Sequence, residues 1–138
     1  MDIDVNYLAV LVAGIVAMGI GALWYSPILF GKLWMRLSGH TPESIDATKA
    51  KGMGVSYTIA FVLQLLVAYI LAHFIALQNI TSVSGALSLV FWAWLGFIFP
   101  VLANTALWDR KPWSLVALNS FHHLVTLAAA GVILILIG

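Results

Sequence analysis

Residues 115–137, LVALNSFHHLVTLAAAGVILILI, decide the class of fold that this chain adopts. The run is long and apolar enough to cross a bilayer as a helix, which takes about 20 residues. Polar residues interrupt it at a few positions. At about 100° per residue, Asn119, His122, His123 and Thr126 fall within an arc of roughly 100°. The sequence therefore predicts a membrane-spanning helix that is polar on one face and apolar on the others.

The polar face of this helix needs a partner inside the protein. Unpaired polar groups are costly at bilayer depth, so the face should point toward other helices or a water-filled cavity and away from lipid. Gln64 is a strongly polar residue near the middle of the second apolar run. Counted from the same side of the membrane, Gln64 and His123 lie at heights that agree within about 2 Å. We therefore predict an intramembrane polar site formed by Asn119, His122, His123, Thr126 and Gln64.

The composition of the whole chain excludes an ordinary soluble domain. Hydrophobic residues make up 63% of the 138 residues, charged residues make up 8%, and the mean hydropathy is +1.07. Soluble proteins carry about 25% charged residues. Because the chain has no cysteine, it cannot form disulfides, thiolate sites or iron–sulfur clusters. A net charge of +1 offers no basic surface for nucleic acid.

Four apolar runs are predicted to span the membrane within a single domain that covers residues 1–138. They lie at about residues 7–24, 55–77, 87–107 and 115–137.

Small side chains recur every four residues in the first two spans. In span one they are Ala9, Ala13, Ala17 and Gly21, and a similar row in span two consists of Ser56, Ala60, Gln64, Ala68, Ala72 and Ala76. Rows of small residues let helix backbones approach closely in lipid. The predicted fold is an all-α membrane protein in which spans one and two pack on each other.

A short interfacial amphipathic helix is predicted after the first span. Pro27 should end that span, and Ser26 and Pro27 suit the N-cap and the first position of a new helix. Lys32 and Arg36 lie four residues apart on its polar side, and Trp34 lies on its apolar side. This helix is too short and too charged to span the bilayer. We expect it to lie in the membrane interface, with Lys32, Arg36 and Trp34 in contact with lipid.

Two further prolines indicate local structure. Thr41-Pro42-Glu43 predicts the start of another helix in the polar stretch after the first span. Pro100 lies inside the third apolar run, where its missing N–H is expected to kink the helix near mid-membrane.

The distribution of charge predicts the orientation in the membrane. All six Lys and Arg residues lie in the loops after spans one and three, and these loops share one side. The positive-inside rule places both loops in the cytoplasm and both termini outside. Residues 1–4 lack the basic segment of a cleavable signal peptide, so we expect the first span to remain in the mature protein.

Three motifs resemble a known family. They are Gly21-x-x-Trp24-Tyr25-Ser26-Pro27-x-x-Phe30-Gly31-x-x-Trp34, Asp109-x-x-x-Trp113 and Asn119-x-x-His122-His123-Leu124-Val125. With these motifs the chain resembles the bacterial family catalogued as domain-of-unknown-function family 1761. The resemblance implies a small four-helix protein of the bacterial inner membrane and brings no established activity, substrate or cofactor. The family pattern often has an aromatic residue where His122 stands and a histidine where His123 stands, so His123 is the histidine expected to have a shared role.

Three functions remain open from the sequence. The first is a structural or accessory bundle that self-associates, in which the polar face binds neighbouring helices. The second is a homo-oligomer that conducts or transports a small solute or protons, since intramembrane histidine and amide groups can line such a path. The third is a membrane protein that binds haem or quinone.

The residues argue against a haem ligated within one chain and against an enzyme. His73 and His123 are expected to lie roughly 8 Å or more apart along the membrane normal, so one iron could not take both as ligands. The spans contain no carboxylate, no His-x-x-x-His pair and no serine–base constellation. We therefore expect no cofactor, no metal and no catalytic residue. The expected partners are the lipid bilayer and further copies of the chain, and any small-molecule ligand is left unidentified.

Overall fold

Every regular element among residues 3–138, the residues that the computed structural model describes, is a helix. Met1 and Asp2, part of the segment that lacks the basic residues of a signal peptide, lie outside the described residues. The elements are, in order, α1 (Tyr7–Trp24), α2 (Gly31–Ser38), α3 (Pro42–Ala50), α4 (Gly54–Leu77), α5 (Val83–Ala93), a π-helical segment (Trp94–Ile98), α6 (Phe99–Trp108) and α7 (Trp113–Ile137).

Four helical runs among residues 3–138 are long and apolar enough to cross a membrane. Three of them are α1, α4 and α7. The fourth is the continuous run Val83–Trp108, which α5, the π-helical segment and α6 form together. The predicted fold class, an all-α protein with four potential membrane spans, is confirmed.

Side-chain caps determine where two of these runs begin. α1 covers the predicted residues 7–24, and the Asn6 side-chain oxygen accepts from two N–H groups of its first turn at 3.0 and 3.2 Å. The third run begins at Val83, earlier than predicted. The reason is that the Ser82 hydroxyl accepts from the Gly85 N–H at 3.1 Å and so caps the helix there.

Helix α7 packs against α1 in antiparallel orientation, and polar contacts tie the two helices at both ends. The Asn6 side-chain N–H₂ donates to the carbonyl oxygen of Ile137 at 3.1 Å, so the residue that caps the start of α1 also binds the end of α7. Near the other end, the Tyr25 hydroxyl donates to the Asn119 side-chain oxygen at 2.8 Å. This second end also carries the basic loops, and we refer to it as the basic end.

Helix α4 packs mainly on α1 at mid-height and approaches α7 far from the basic end. A Cβ added to Gly14 of α1 would lie 2.6 Å from the Leu65 side chain of α4, so the two backbones are close at that level. Ala72 of α4 and Leu134 of α7 line one shared groove, of about 520 Å³, near the opposite end. The expected packing of spans one and two is therefore present, with α1 in contact with both α4 and α7.

The row of small residues in α1 faces the interior of the bundle. Ala9, Ala13 and Ala17 are buried, whereas in the row of α4 only Ala68 is buried. A row at four-residue spacing drifts around a helix by about 40° per step, and this drift carries the outer members of the α4 row away from the contact.

The segment between α1 and α2 is a tight turn, and the prediction that Ser26 caps a helix beginning at Pro27 is wrong. The Ser26 hydroxyl instead donates back to the carbonyl oxygen of Leu23 at 2.7 Å. The Ser26 carbonyl oxygen accepts from the Gly31 N–H at 2.8 Å, and α2 begins at Gly31. A Cβ added to Gly31 would lie 2.5 Å from the Tyr25 carbonyl oxygen, so this turn requires glycine.

The amphipathic helix α2 exposes its charged side. Lys32 and Arg36 are exposed, and Trp34 is half-buried with its ring centroid 6.0 Å from that of Tyr25. Contact of these three residues with lipid remains a prediction. The predicted helix start at Thr41 is confirmed, since its hydroxyl accepts from a first-turn N–H at 3.0 Å and α3 follows.

Pro100 lies in the first turn of α6, directly after the π-helical segment. Proline cannot donate to the carbonyl four residues earlier, and its ring crowds that carbonyl. At this point the chain widens its turn, and the Phe99 N–H donates to the carbonyl oxygen of Trp94, five residues earlier. The expected disturbance at Pro100 takes the form of a π-helical turn.

Candidate functional site

The polar face of α7 lies largely in the interior of the bundle. Ser120, His122 and Thr126 are buried, and Asn119 and His123 are half-buried. Ser120 was not among the predicted site residues, although it is adjacent to Asn119 in the sequence. The Ser120 and Thr126 hydroxyls donate to carbonyl oxygens of α7 itself, at 3.2 and 3.0 Å, so their polarity is satisfied within the helix.

Tyr25, at the end of α1, is the partner of Asn119. Its hydroxyl donates to the Asn119 side-chain oxygen across the interface between α1 and α7. The Asn119 side-chain oxygen is therefore bound by Tyr25, and the pairing of Gln64 with the polar face stays a prediction. Gln64 is half-buried on α4, and at its level the neighbouring residue Leu65 packs against Gly14 of α1.

A second interhelical hydrogen bond joins α7 to the third run. The indole N–H of Trp94 donates to the carbonyl oxygen of Ser120 at 2.6 Å, in a buried position. Trp94 is the first residue of the π-helical segment, and its ring also packs near Phe99 and Phe121. This bond could not be predicted from the sequence, because its acceptor is a backbone carbonyl, which every residue has.

His122 is the buried histidine of the site, and its ring lies among aromatic side chains. The centroid of its ring is 5.1 Å from that of Tyr25, 6.0 Å from that of Trp24 and 5.2 Å from that of His123. Phe30 extends the cluster, with its centroid 4.7 Å from that of Trp24. We refer to Trp24, Tyr25, Phe30, His122 and His123 as the aromatic cluster.

The aromatic cluster contains three buried nitrogen atoms that have no hydrogen-bond partner among the described residues. They are Nδ1 and Nε2 of His122 and Nε1 of Trp24. Only 7% of the surface of His122 is exposed. Buried polar atoms are paired in the great majority of cases, so such atoms indicate water or a ligand. The sequence placed more weight on His123, but His122 is the more deeply buried of the two.

Histidines elsewhere do not complete a metal site with this cluster. His73 of α4 has Nδ1 2.9 Å from the carbonyl oxygen of Tyr69, so this histidine is engaged with its own helix. His40 stacks on Trp34 at a centroid distance of 4.9 Å. Within residues 3–138, no group of three or more His, Asp or Glu side chains could hold a metal ion.

The two longer motifs behind the family resemblance meet in space at this site. Trp24 and Tyr25 come from the motif at the end of α1, and Asn119, His122 and His123 come from the motif in α7. A family model described as "Protein of unknown function (DUF1761)" matches residues 8–135. The chain belongs to this family. Comparison of this DUF1761 member with curated proteins and with solved structures gives no match.

The bond between Tyr25 and Asn119 predicts a measurable coupling. Tyr25→Phe removes the hydroxyl that donates to the Asn119 side-chain oxygen. Asn119→Leu removes the oxygen that accepts this hydrogen bond. In a double-mutant cycle we expect a coupling free energy of about 0.6–1.7 kcal/mol, the range for polar pairs between membrane helices. The measurement is reversible unfolding in detergent. Tyr57→Phe, at an exposed tyrosine of α4, is the matched control and should leave stability unchanged. Additive effects of Tyr25→Phe and Asn119→Leu would contradict the prediction.

Proposed function

We propose that this DUF1761 protein is a structural or accessory membrane bundle that self-associates. Three polar side chains join other parts of the chain to α7. Asn6, Tyr25 and Trp94 each donate a hydrogen bond to α7 from another element. Such bonds support a packing role, because they consume the polar groups that a solute path would leave free.

The observation that supports self-association is a polar residue on an outer face of the bundle. Phe97, Val101, Asn104 and Trp108 are exposed, and the last three share one side of α6 by their spacing of three and four residues. Asn104 lies about one helical turn inside the Trp108 end. The neighbouring hydroxyl of Thr105 donates to Leu102, whereas the Asn104 amide lies at the surface.

The Asn104 amide is suited to bind its own copy. A carboxamide both donates and accepts, so two copies related by a two-fold axis can exchange hydrogen bonds through one residue. Val101 and Trp108 provide apolar contact area on either side of the amide. Amide side chains at bilayer depth stabilise helix association because lipid offers them no partner. The partner in this proposal is therefore a second copy of the chain.

Energy transfer between labelled copies tests the proposal. Because the chain has no cysteine, one cysteine appended after Gly138 takes a donor or acceptor fluorophore at a single position. Transfer should fall as detergent dilutes the protein, and Asn104→Leu should weaken the association by about tenfold, since one amide pair is worth about 1–2 kcal/mol. Thr58→Val, an exposed polar residue of α4, is the control and should associate like the unchanged protein. Equal transfer at all dilutions in the unchanged and Asn104→Leu proteins would refute the Asn104 interface.

We further propose that the basic end faces the cytoplasm of a bacterial cell and that both termini lie outside the inner membrane. All six Lys and Arg residues lie in the segments that join α1 to α4 and α6 to α7. Alkaline phosphatase fused after Gly138 should therefore be active, because this enzyme folds only outside the cytoplasm. A cytoplasmic reporter that is active at the same position would reverse the orientation.

A further inference from the structure

The structure also carries a binding site that goes beyond self-association. We propose that Gly21, Trp24 and His122, at the interface of α1 and α7 near the basic end, bind the carbonyl group of a neutral, membrane-soluble molecule. The site is defined by the free indole N–H of Trp24 and by the two free ring nitrogens of His122. These atoms belong to side chains whose ring centroids are 6.0 Å apart.

The chemistry of the free atoms selects the ligand class. An indole nitrogen is only a donor, and a neutral imidazole has one donor and one acceptor. The indole N–H and the imidazole N–H are two donors, and a carbonyl oxygen has two lone pairs that can accept from both; the second imidazole nitrogen is an acceptor that the carbonyl leaves unpaired. A charged ligand does not fit, because the aromatic cluster provides no opposite charge and a buried unpaired charge is strongly unfavourable.

Gly21 leaves the side of α1 that faces His122 without a side chain. If Gly21 carried a Cβ, its only neighbour within 4 Å would be Nε2 of His122, at 3.4 Å. Gly21 itself is half-buried, so this position lies at the edge of the interface between α1 and α7. Trp24 is three residues further along α1 and shares this side of the helix. A ligand oxygen that enters beside Gly21 would meet Nε2 of His122, and the Trp24 ring lies with its centroid 6.0 Å from that of His122.

Two membrane components present such a carbonyl group. One is a quinone, whose planar ring could also pack against the aromatic side chains of Trp24, Tyr25 and Phe30. The other is the ester carbonyl of a phospholipid chain, which lies just below the head groups, at the depth of a site near the end of a span. The chemistry is the same in both cases, and the two sources can be separated by experiment.

The indole N–H signal of Trp24 in a nitrogen–proton correlation spectrum reports on this site. The chain has six tryptophans and therefore six indole signals, and Trp24→Phe assigns the one of interest. The protein is placed in nanodiscs of ester-linked phosphatidylcholine and, separately, of its ether-linked analogue, which lacks the ester carbonyls. Decyl-benzoquinone is then titrated into both.

Gly21→Ala is the decisive variant, and Gly19→Ala is its matched control. The methyl group of Gly21→Ala occupies the position next to Nε2 of His122 without a severe clash, so the protein should fold and the ligand should be displaced. Gly19 lies on the same helix with nothing within 4 Å of its Cβ position. We expect at least about tenfold weaker binding in Gly21→Ala, in line with the loss of one hydrogen bond, and unchanged binding in Gly19→Ala.

The outcomes are distinct. A saturable shift of the Trp24 signal with the quinone, lost in Gly21→Ala, identifies a quinone-type ligand. A Trp24 signal that differs between ester and ether nanodiscs before any quinone is added, with the difference lost in Gly21→Ala, identifies the lipid carbonyl. Either result supports the proposal. A signal that responds to neither, that responds equally in Gly21→Ala, or that exchanges with water as fast as an exposed indole would overturn it.

Discussion

Replacing Gly31 with alanine is expected to destabilise the folded protein by about 3 kcal/mol, at the upper end of the cost of overpacking. The added Cβ would lie 2.5 Å from the carbonyl oxygen of Tyr25 and 2.7 Å from the carbonyl carbon of Ser26. Both neighbours are backbone atoms of the same turn, so they cannot move aside as a flexible side chain can. The measurement is the free energy of unfolding in detergent, followed by circular dichroism.

The strain at Gly31 should extend to the site, because Tyr25 is the residue that must move. A shift of the Tyr25 backbone would lengthen its hydrogen bond to Asn119 and disturb the packing of its ring on His122. Gly31→Ala should therefore abolish most of the coupling between Tyr25 and Asn119, in addition to lowering stability.

A second glycine of the same region serves as the control for Gly31. Gly19 lies inside α1 with open space at its Cβ position, so Gly19→Ala should leave stability unchanged or raise it by up to about 1 kcal/mol through helix propensity. If Gly31→Ala unfolded at the same denaturant concentration as Gly19→Ala, the turn would have another conformation in solution.

The spans could be predicted from the sequence, whereas the partners of the polar face could not. The length and apolarity of a helix depend on its own residues alone, so the hydropathy of the four runs was sufficient to predict where the long apolar helices lie. The partner of Asn119 depends on which helix lies beside α7 at that height. The expected heights matched Gln64 with His123 and did not include Tyr25, which lies beside Asn119, while the close packing of Leu65 on Gly14 holds the level of Gln64 against α1.

Which of His122 and His123 is more deeply buried also depends on packing between helices, so the sequence of α7 alone could not decide it. Adjacent residues of a helix point about 100° apart, so a small rotation of α7 decides which ring is buried. The sequence places both on one polar face, but the rotation depends on how α7 packs against its neighbours, and in the structure it brings Nε2 of His122 to 3.4 Å from the Cβ position of Gly21. Pro100 is a similar case. Its missing N–H predicts that the helix is disturbed at this point, but whether the result is a kink or a π-helical turn depends on the surrounding packing.

Replacing Ala13 with leucine is expected to destabilise the bundle by about 1–3 kcal/mol through overpacking. Ala13 is 1% exposed and belongs to the core to which α1, α4, α5 and α7 contribute residues. Close approach of backbones at small residues contributes much of the packing energy between membrane helices, so added carbon atoms at this point push the helices apart. Ala17→Leu, one turn further along the same buried face, should behave alike.

The matched control for Ala13 is Ala22→Leu, which makes the same chemical change at an exposed position of α1. The two variants add equal apolar surface, so they separate crowding in the interior from a general effect of hydrophobicity. Thermal unfolding in detergent should show a lower midpoint for Ala13→Leu and an unchanged midpoint for Ala22→Leu. If Ala13→Leu and Ala17→Leu both kept the midpoint of the unchanged protein, this face of α1 would point toward lipid. In that case the tight contact of α1 with α7, on which the positions of Tyr25 and Gly21 beside the polar face depend, would not exist.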